Sequence, residues 1–214
     1  MKKTNQVKEQ ARLFKSPILE FFTKTSLLES TLTSLGISAV CVGIGNKLNP
    51  EMSFNWALGI FIVGLLFWSP FEYLLHRYLF HIGENAFTGS RRLQYLLHGV
   101  HHDSPTDYQR TLLPFLPKVL IALVFFILFY IFLDTKSAYF SGGFMMGYYS
   151  YSMLHYSIHR YRAPKWLELL WQHHHIHHHL YDDKAYGVSS TLWDHFFKTM
   201  PPKNSLKTKE AKAK

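Results

Sequence analysis

The sequence is poor in cysteine and in acidic residues, and both shortages exclude common kinds of protein. Its single cysteine, Cys41, lies in an apolar stretch. One cysteine cannot form an intramolecular disulfide or a thiolate metal site, so a disulfide-stabilised secreted fold and a cysteine-ligated zinc site are excluded. Asp and Glu number 14 against 23 Lys and Arg, and the 214 residues suit one domain of ordinary size.

Several functional motifs are also missing. The sequence has no H-E-x-x-H, which argues against a zinc peptidase, and no acidic pair at helical spacing in its apolar stretches, which argues against a carboxylate-bridged di-iron bundle. The amino terminus lacks the short apolar core and cleavage site of a secretory signal. The net charge is +9, but the basic residues flank apolar runs and form no basic helix, so nucleic acid is not an expected partner.

Long apolar runs are abundant, and they predict an all-α integral membrane protein. Four stretches, 30–46, 52–71, 112–133 and 137–154, are nearly free of charge. A helix needs roughly 20 apolar residues to cross a bilayer core of about 30 Å. The second and third stretches meet this length clearly and the fourth acceptably. The first is diluted by Ser, Thr and Gly and qualifies only as half of a hairpin. We therefore predict four transmembrane helices.

The basic residues predict the orientation of these helices. With four spans, 21 of the 23 Lys and Arg lie on one side of the membrane, counting Lys118 at the edge of the third span. Only Lys47 and Lys136 lie in the turns on the other side. The positive-inside rule places the basic side, with both termini and the middle loop, in the cytoplasm. The membrane would be the endoplasmic reticulum in a eukaryote and the inner membrane in a bacterium.

Three segments are expected along the chain. Residues 1–29 form a basic amphipathic segment, and residues 30–200 form the membrane domain with a helical cap on its cytoplasmic side. Residues 201–214 have the composition of a disordered basic tail.

Histidine is frequent: 13 of the 14 histidines fall in four clusters, all on the predicted cytoplasmic side. Residues three or four apart share a helix face, so two histidines at this spacing can point their imidazoles at one spot. A five-residue step fits one face less well and predicts that the helix loosens or ends there. The first three clusters are His76 and His81 at a five-residue step, His98 with His101 and His102, and His155 with His159.

The fourth cluster is the tract H-H-H-I-H-H-H at residues 173–179, and its register is open. The pattern H-x-x-H-H is met either by His175, His178 and His179 or by His174, His177 and His178.

So many converging imidazoles predict a dinuclear metal site. Each buried ring needs a partner on both nitrogens, and a metal ion supplies only one of them. One structural zinc closes its shell with four ligands, about half of this inventory. The candidate acceptors for the outward ring nitrogens are Glu72, Asp182, Asp183 and Asp194.

The order H-x4-H, H-x2-H-H, H-x3-H, H-x2-H-H resembles the membrane-bound fatty acid hydroxylase superfamily, which also contains sterol desaturase-like enzymes. The resemblance covers residues 54–199. Three segments are most similar to the fatty acid 2-hydroxylase branch: EYLLHRYLFH at 72–81, LHGVHHDSPTDYQRTLLP at 97–114 and YGVSSTLWDHFF at 186–197. The segment between His179 and Gly187 is about one residue shorter than in relatives, which leaves the register of the fourth cluster open.

The resemblance implies a di-iron monooxygenase that hydroxylates carbon 2 of a fatty acyl chain, free or in a sphingolipid, using O2 and external electrons. Zinc is expected to be able to occupy the sites of isolated protein. Only about 50 residues precede the second apolar stretch, so electrons are expected from a separate b-type cytochrome or a ferredoxin with its reductase. The implied ligands are His76, His81, His98, His101, His102, His155, His159, His175, His178 and His179, with His174 and His177 as the alternative register.

Two alternatives stay open. A sterol or carotenoid hydroxylase or desaturase of the same superfamily would share the metal site. A metal-binding or metal-transport protein would place its ligands near mid-membrane, whereas the centres of the apolar stretches hold Phe, Leu, Ile and Val. Arg77 and Arg110 are candidates for pairing with an anionic lipid headgroup, although a surface arginine that snorkels is the commoner case.

Overall fold

The computed structural model describes residues 12–82, 87–203 and 205. Every regular element in these residues is helical, which confirms the predicted all-α class. The predicted basic tail lies outside the described residues except for 201–203 and 205. In chain order the elements are α1 (Pro17–Phe21), α2 (Leu27–Leu48), α3 (Phe54–Leu75), a π-helical turn (His76–Phe80), α4 (Thr88–Gln94), a second π-helical turn (Tyr95–Gly99), α5 (Val100–Asp103), α6 (Phe115–Leu133), a 3-10 turn (Asp134–Lys136), α7 (Ser137–Arg160), a second 3-10 turn (Lys165–Leu167), α8 (Glu168–His179) and α9 (Leu192–Phe196).

All four apolar stretches of the sequence are helical, as α2, α3, α6 and α7. By length and composition, three continuous helical stretches could cross a membrane: 27–48, 54–80 and 115–160. These stretches make the chain a membrane protein. The third of them contains both α6 and α7, so four long helices lie within the three stretches.

The first 3-10 turn, Asp134–Lys136, reverses the chain between α6 and α7. Asp134 takes a positive φ of 50° there. The ring of Phe129 lies 4.8 Å from that of Phe140, and the ring of Phe125 lies 5.6 Å from that of Phe144. Residues near the end of α6 contact residues near the start of α7, and earlier residues of α6 contact later residues of α7, so the two helices form an antiparallel hairpin.

Helices α3 and α7 meet backbone to backbone because glycines line their contact. A Cβ added at Gly143 would lie 1.8 Å from the carbonyl oxygen of Phe61, and one added at Gly64 would lie 2.1 Å from that of Phe140. Side chains larger than hydrogen cannot fit at such an approach. Next to this contact, a buried aromatic cluster of Trp68, Phe129, Phe140 and Phe144 fills the space between α3, α6 and α7.

The small residues that dilute the first apolar stretch have a structural role in α2. Its buried positions are Ser30, Ser34, Ser38, Cys41 and Gly45, which recur at intervals of three or four residues and so share one face. From this face Ser38 donates a hydrogen bond to the carbonyl of Gly142 in α7, at 2.8 Å. The serines therefore mark the side of α2 that packs on α7.

The turn after α2 and the turn after α6 meet at one end of the helices. Thr135 donates its hydroxyl proton to Oδ1 of Asn49 at 2.7 Å, and the Asn49 amide donates to the Thr135 carbonyl at 3.3 Å. Helices α3 and α7 each run away from these turns. His76 follows the last residue of α3, and His159 is one residue from the end of α7. The histidine clusters therefore lie at the opposite end of the molecule.

Candidate metal centre

Ten histidines converge in two groups of five, and within each group one ring nitrogen per residue lies within 4.8 Å of the others. We call them the first and the second histidine group. The first group is His76, His81, His98, His102 and His177. The second group is His101, His155, His159, His174 and His178.

The two groups adjoin each other. His101 and His102 are consecutive residues of α5, and His177 and His178 are consecutive residues of α8, with one of each pair in each group. The rings of His102 and His178 stack across the boundary, 4.1 Å apart and nearly parallel. The two groups could therefore hold two metal ions side by side.

The first group depends on two π-helical turns. The five-residue step from His76 to His81 coincides with the first of them, and the helix ends at His81, as the spacing predicted. A π-helix closes its hydrogen bonds between residues five apart, so its wider turn brings residues at this step nearer to one face. The second π-helical turn, which contains His98, leads directly into α5 with His101 and His102.

The second group uses ordinary helical spacing. His155 and His159 lie one turn apart at the end of α7, and His174 and His178 lie one turn apart on α8. Between these two pairs, His101 of α5 lies with its Nε2 3.1 Å from that of His155 and 3.0 Å from that of His159.

The structure places the two registers of the fourth cluster differently. His174 and His177 are fully buried and belong to the two groups together with His178, whereas His175 and His179 are exposed on the outer side of α8. The two groups therefore contain the residues of the alternative register and not His175 and His179.

The reason lies in the residues that precede the tract. Trp171 of α8 lies one helical turn before His174 and two turns before His178, and it packs on the buried Ile158 and Val188 together with Leu167 and Leu170. Because this apolar face packs against the protein interior, the residues that follow on the same face of α8 also point inward. The signal was present in the sequence, because the other register shares its face with the polar Glu168 and Gln172 instead.

The spacing of the ring nitrogens fits metal ligands better than hydrogen bonds. The Nε2 of His98 lies 3.0 Å from that of His76 and 2.9 Å from that of His102. In a neutral ring Nε2 has either one proton or one lone pair, so it cannot make a full hydrogen bond to both. The same conflict holds for His101 and His159 in the second group. A shared ion at the point of convergence resolves it.

The number of candidate ligands distinguishes the site from a structural zinc site. Two nitrogens that bind one ion at about 2.1 Å are about 3.0 Å apart at right angles and about 3.4 Å apart at the tetrahedral angle. The closest contacts between ring nitrogens in the two groups are 2.9 to 3.1 Å, which is short enough for two nitrogens to share an ion. Five histidines in each group exceed the four ligands of a closed structural zinc site.

Burial keeps these imidazoles neutral. It lowers the pKa of His81 to about 4 and that of His102 to about 3. Burial, followed by the neighbouring imidazoles, holds the pKa of His98, His101 and His174 well below the usual range. The rings are therefore unprotonated at pH 7, which is the form that binds metal.

The outward nitrogens of the first group are held by backbone carbonyls. Nδ1 of His76 donates to the carbonyl of Tyr186 at 2.5 Å, and Nδ1 of His177 donates to the carbonyl of Lys184 at 2.7 Å. A carbonyl can only accept, so both rings carry their proton on Nδ1 and direct a bare Nε2 inward.

The acidic residues expected as acceptors act differently. Asp194 and Glu72 are buried, but they accept hydrogen bonds from the segment that supplies the carbonyls: Asp194 from the amides of Tyr186 and Gly187, and Glu72 from those of Val188 and Ser189. Asp182 and Asp183 are exposed, although Asp182 opposes the lowering of the pKa of His81. The buried carboxylates thus hold the loop, and Asp194 also contacts His173, but neither carboxylate is hydrogen-bonded to a histidine of the two groups. Sequence reasoning missed the carbonyls because every residue has one.

Arg110, a candidate for pairing with a lipid headgroup, is neither free for such a pair nor a surface arginine. Arg110 is 6% exposed and forms ion pairs with Glu20 and Asp107. Its charge is already neutralised inside the protein, and the pair with Glu20 ties the segment around α1 to the loop after His101 and His102. Arg77 donates to the hydroxyl of Tyr73 at 3.1 Å.

The second histidine group adjoins the aromatic cluster between the long helices. Tyr151 packs against that cluster and also stacks on the ring of His155, with 5.7 Å between the ring centroids and 9° between the planes. The ring of Phe80 stacks in the same way on His98 at 4.8 Å. The site is therefore in contact with the apolar interior and is placed to act on an apolar molecule.

Comparison with known proteins shows which family the chain resembles. A family model described as fatty acid hydroxylase matches residues 61–199. The dihydroceramide fatty acyl 2-hydroxylase FAH1 of Arabidopsis thaliana is 32% identical over 197 residues, which cover 91% of this chain and 81% of that protein. The fatty acid 2-hydroxylase of Mus musculus is 30% identical, over 91% of this chain and 58% of its own length.

A solved structure is also similar. It is described as full-length Scs7p with only the hydroxylase domain visible, and it matches with a TM-score of 0.78 and 30% identity. The match covers 86% of this chain and 70% of that one. The predicted resemblance, including its 2-hydroxylase branch, is confirmed, and the chain belongs to the fatty acid hydroxylase family.

Proposed function

We propose that this protein is a di-iron membrane monooxygenase that hydroxylates carbon 2 of a fatty acyl chain. The observation that carries the proposal is the pair of adjoining five-histidine groups at one end of the apolar helices. The proposed ligands are His76, His81, His98, His102 and His177 for one iron and His101, His155, His159, His174 and His178 for the other.

The reaction balances with two external electrons. A CH2 group next to the acyl carbonyl, O2, two electrons and two protons give a CHOH group and one water. The two irons, when bound, would supply the activation of O2 that this step needs. Zinc would fit the same imidazoles in isolated protein but could not take part in electron transfer.

The contribution of the chain is to hold and shield the metal centre. Neutral imidazoles leave the bound metal with a high positive charge, and the buried carboxylates Glu72 and Asp194 bond to a loop instead of to the metal groups. The rings of Tyr151 and Phe80 cover one face of the His155 and His98 imidazoles, and we expect this cover to exclude water from that side. Such exclusion prevents the oxidant from being wasted on solvent.

An acyl chain is the substrate that suits this position. The metal centre lies at the end of α3 and α7, where the apolar helices give way to the polar cap. Carbon 2 of an acyl lipid lies next to the carbonyl, at the boundary between tail and headgroup, so it reaches this level when the tail lies among the helices. The activities named for the similar proteins support an acyl substrate over a sterol or carotenoid, and amide-linked dihydroceramide is the first candidate to test.

The proposed topology has four spans, with both termini and the metal centre in the cytoplasm. It is supported by the antiparallel α6–α7 hairpin, by the two turns that meet at the end opposite the histidines, and by the basic residues of the histidine end. The position of the histidines at the ends of helices argues against metal transport.

The electrons are proposed to come from a separate protein, either a b-type cytochrome or a ferredoxin with its reductase. The chain spans 58% of the length of the mouse relative, so the activity of that whole protein reaches this chain only as a proposal.

Expression in a host that lacks 2-hydroxylated lipids tests the function. We expect 2-hydroxy fatty acids in the hydrolysed lipids of the expressing host, measured by mass spectrometry, and two irons per purified chain. The matched control is His174→Gln, which should accumulate in the membrane without product. Metal-dependent flux across vesicles without any oxidised lipid would replace the proposal with transport.

A further inference from the structure

The two histidine groups differ in how their outward ring nitrogens are held. In the first group, Nδ1 of both His76 and His177 donates to a carbonyl of one loop. In the second group, Nδ1 of His101, Nδ1 of His174 and both ring nitrogens of His178 are buried and have no hydrogen-bond partner among the residues that the structure describes. A hydrogen bond at the outward nitrogen fixes the tautomer and the orientation of a metal-binding imidazole. The first group is thus more preorganised than the second.

The carbonyls that hold the first group belong to residues 184–186, and this short segment is conformationally strained. Ala185, between the two carbonyls, has a φ of 58°, a left-handed conformation that residues other than glycine rarely adopt. It is completely buried, and its amide donates to the carbonyl of Thr199 at 2.9 Å. Strain of this kind persists only where neighbouring contacts enforce it.

Asp194 provides those contacts. Its carboxylate accepts from the amides of Tyr186 and Gly187 at 2.9 and 2.8 Å, and from the hydroxyl of Thr199 at 2.7 Å. His173 contacts the same carboxylate at 3.0 Å. Asp194 is 0% exposed and uses the full accepting capacity of a carboxylate, about four lone pairs. It does not touch the metal-binding rings.

We propose that the two metal positions are unequal, that the first histidine group binds its ion more tightly than the second, and that Asp194 is the positioning residue that sets this difference. The inference rests on the ligand set of the proposed function. Removing contacts that orient metal-binding histidines typically costs 10- to 100-fold in metal affinity. The same loss, confined to one of two binding steps, is expected when the Asp194 carboxylate becomes an amide.

Metal titration of the purified full-length chain in detergent tests the proposal. The chain is stripped with a chelator and titrated with Co2+, whose visible spectrum reports each coordination environment. The wild-type chain should bind two ions in two separable steps. Asp194→Asn should weaken the tighter step by about 10- to 100-fold and leave the weaker step unchanged. Asp183→Asn is the matched control: it makes the same chemical change at an exposed carboxylate next to the same segment, and it should alter neither step.

Equal weakening of both steps, or no weakening, in a folded Asp194→Asn chain overturns the proposal. The proposal is also overturned if the wild-type chain binds two equivalent ions in a single step. If Asp194→Asn does not fold, Thr199→Val decides the question, because it removes one donor to Asp194 at nearly constant volume. A smaller loss in the tighter step alone then supports the proposal, and an equal loss or none contradicts it. No lipid product is measured, so failure of the proposed function and failure of this inference are distinguishable.

Discussion

Two adjacent histidines of α8 provide the sharpest test of the metal centre. His174 is 0% exposed, and its Nε2 lies 2.9 Å from that of His159. His175 is the next residue but lies exposed on the outer side of the helix. The substitutions His174→Gln and His175→Gln are chemically identical and one residue apart, so they separate loss of a ligand from any general effect on α8.

The expected effect follows from the number of ligands. Structural zinc sites with four ligands bind with about 10–16 kcal/mol, or roughly 3 kcal/mol for each ligand. Since about 1.4 kcal/mol corresponds to a tenfold change in affinity, losing one ligand should weaken metal binding about 100-fold. For His174→Gln, we expect loss of about one metal ion per chain after dialysis against a competing chelator. His175→Gln should keep both ions.

The assay is elemental analysis of purified protein together with mass spectrometry of 2-hydroxy fatty acids from the same cultures. His174→Gln should lack product, and His175→Gln should match the wild-type chain in both measurements. Equal metal loss in the two variants, or a loss restricted to His175→Gln, would refute the assigned register of α8.

Three further predictions concern the rest of the molecule. His101→Ala or His159→Ala should abolish product while membrane insertion, measured by alkaline extraction, is retained, and turnover in either variant would contradict its place in the second group. Gly143→Ala should destabilise the protein by about 1–3 kcal/mol or more, because its Cβ would lie 1.8 Å from the carbonyl of Phe61. Gly36→Ala, with nothing within 4 Å, should leave the unfolding temperature in detergent unchanged, and equal shifts for the two glycines would contradict the packing. Chelation of the metal should abolish turnover and leave the far-ultraviolet circular dichroism largely intact, with Fe(II) restoring activity; collapse of the helical signal would show that the metal holds the fold.

The helices were predictable because their signals are local. Apolar runs predict α3 and α6. The serines that weaken the apolar character of α2 belong to its packing face, whose residues recur at intervals of three or four. The pair His155 and His159 likewise follows from helical spacing alone. The joining of α6 and α7 into a hairpin depends on a single turn at Asp134, where the sequence offers only a short polar interruption.

The remaining details of the site depend on tertiary contacts. In the tract at 173–179, two registers satisfy the same spacing, and packing of Trp171 against Ile158 and Val188 decides which of them faces inward. The partners of His76 and His177 are backbone carbonyls, which carry no residue-specific signal. Asp194 was a candidate acceptor for a ring nitrogen, but in the structure it accepts hydrogen bonds from the backbone amides of Tyr186 and Gly187 instead.

Isotope labelling shows whether the oxygen atom of the product comes from O2. Iron-loaded protein in lipid vesicles, with a chemical or enzymatic electron source and an acyl lipid, is exposed to 18O2, and the fatty acids are analysed by mass spectrometry. We predict a 2-hydroxy acyl product with one 18O atom at carbon 2. A hydroxyl at another carbon, a label that comes only from water, or no hydroxylated lipid from fully iron-loaded protein would contradict it.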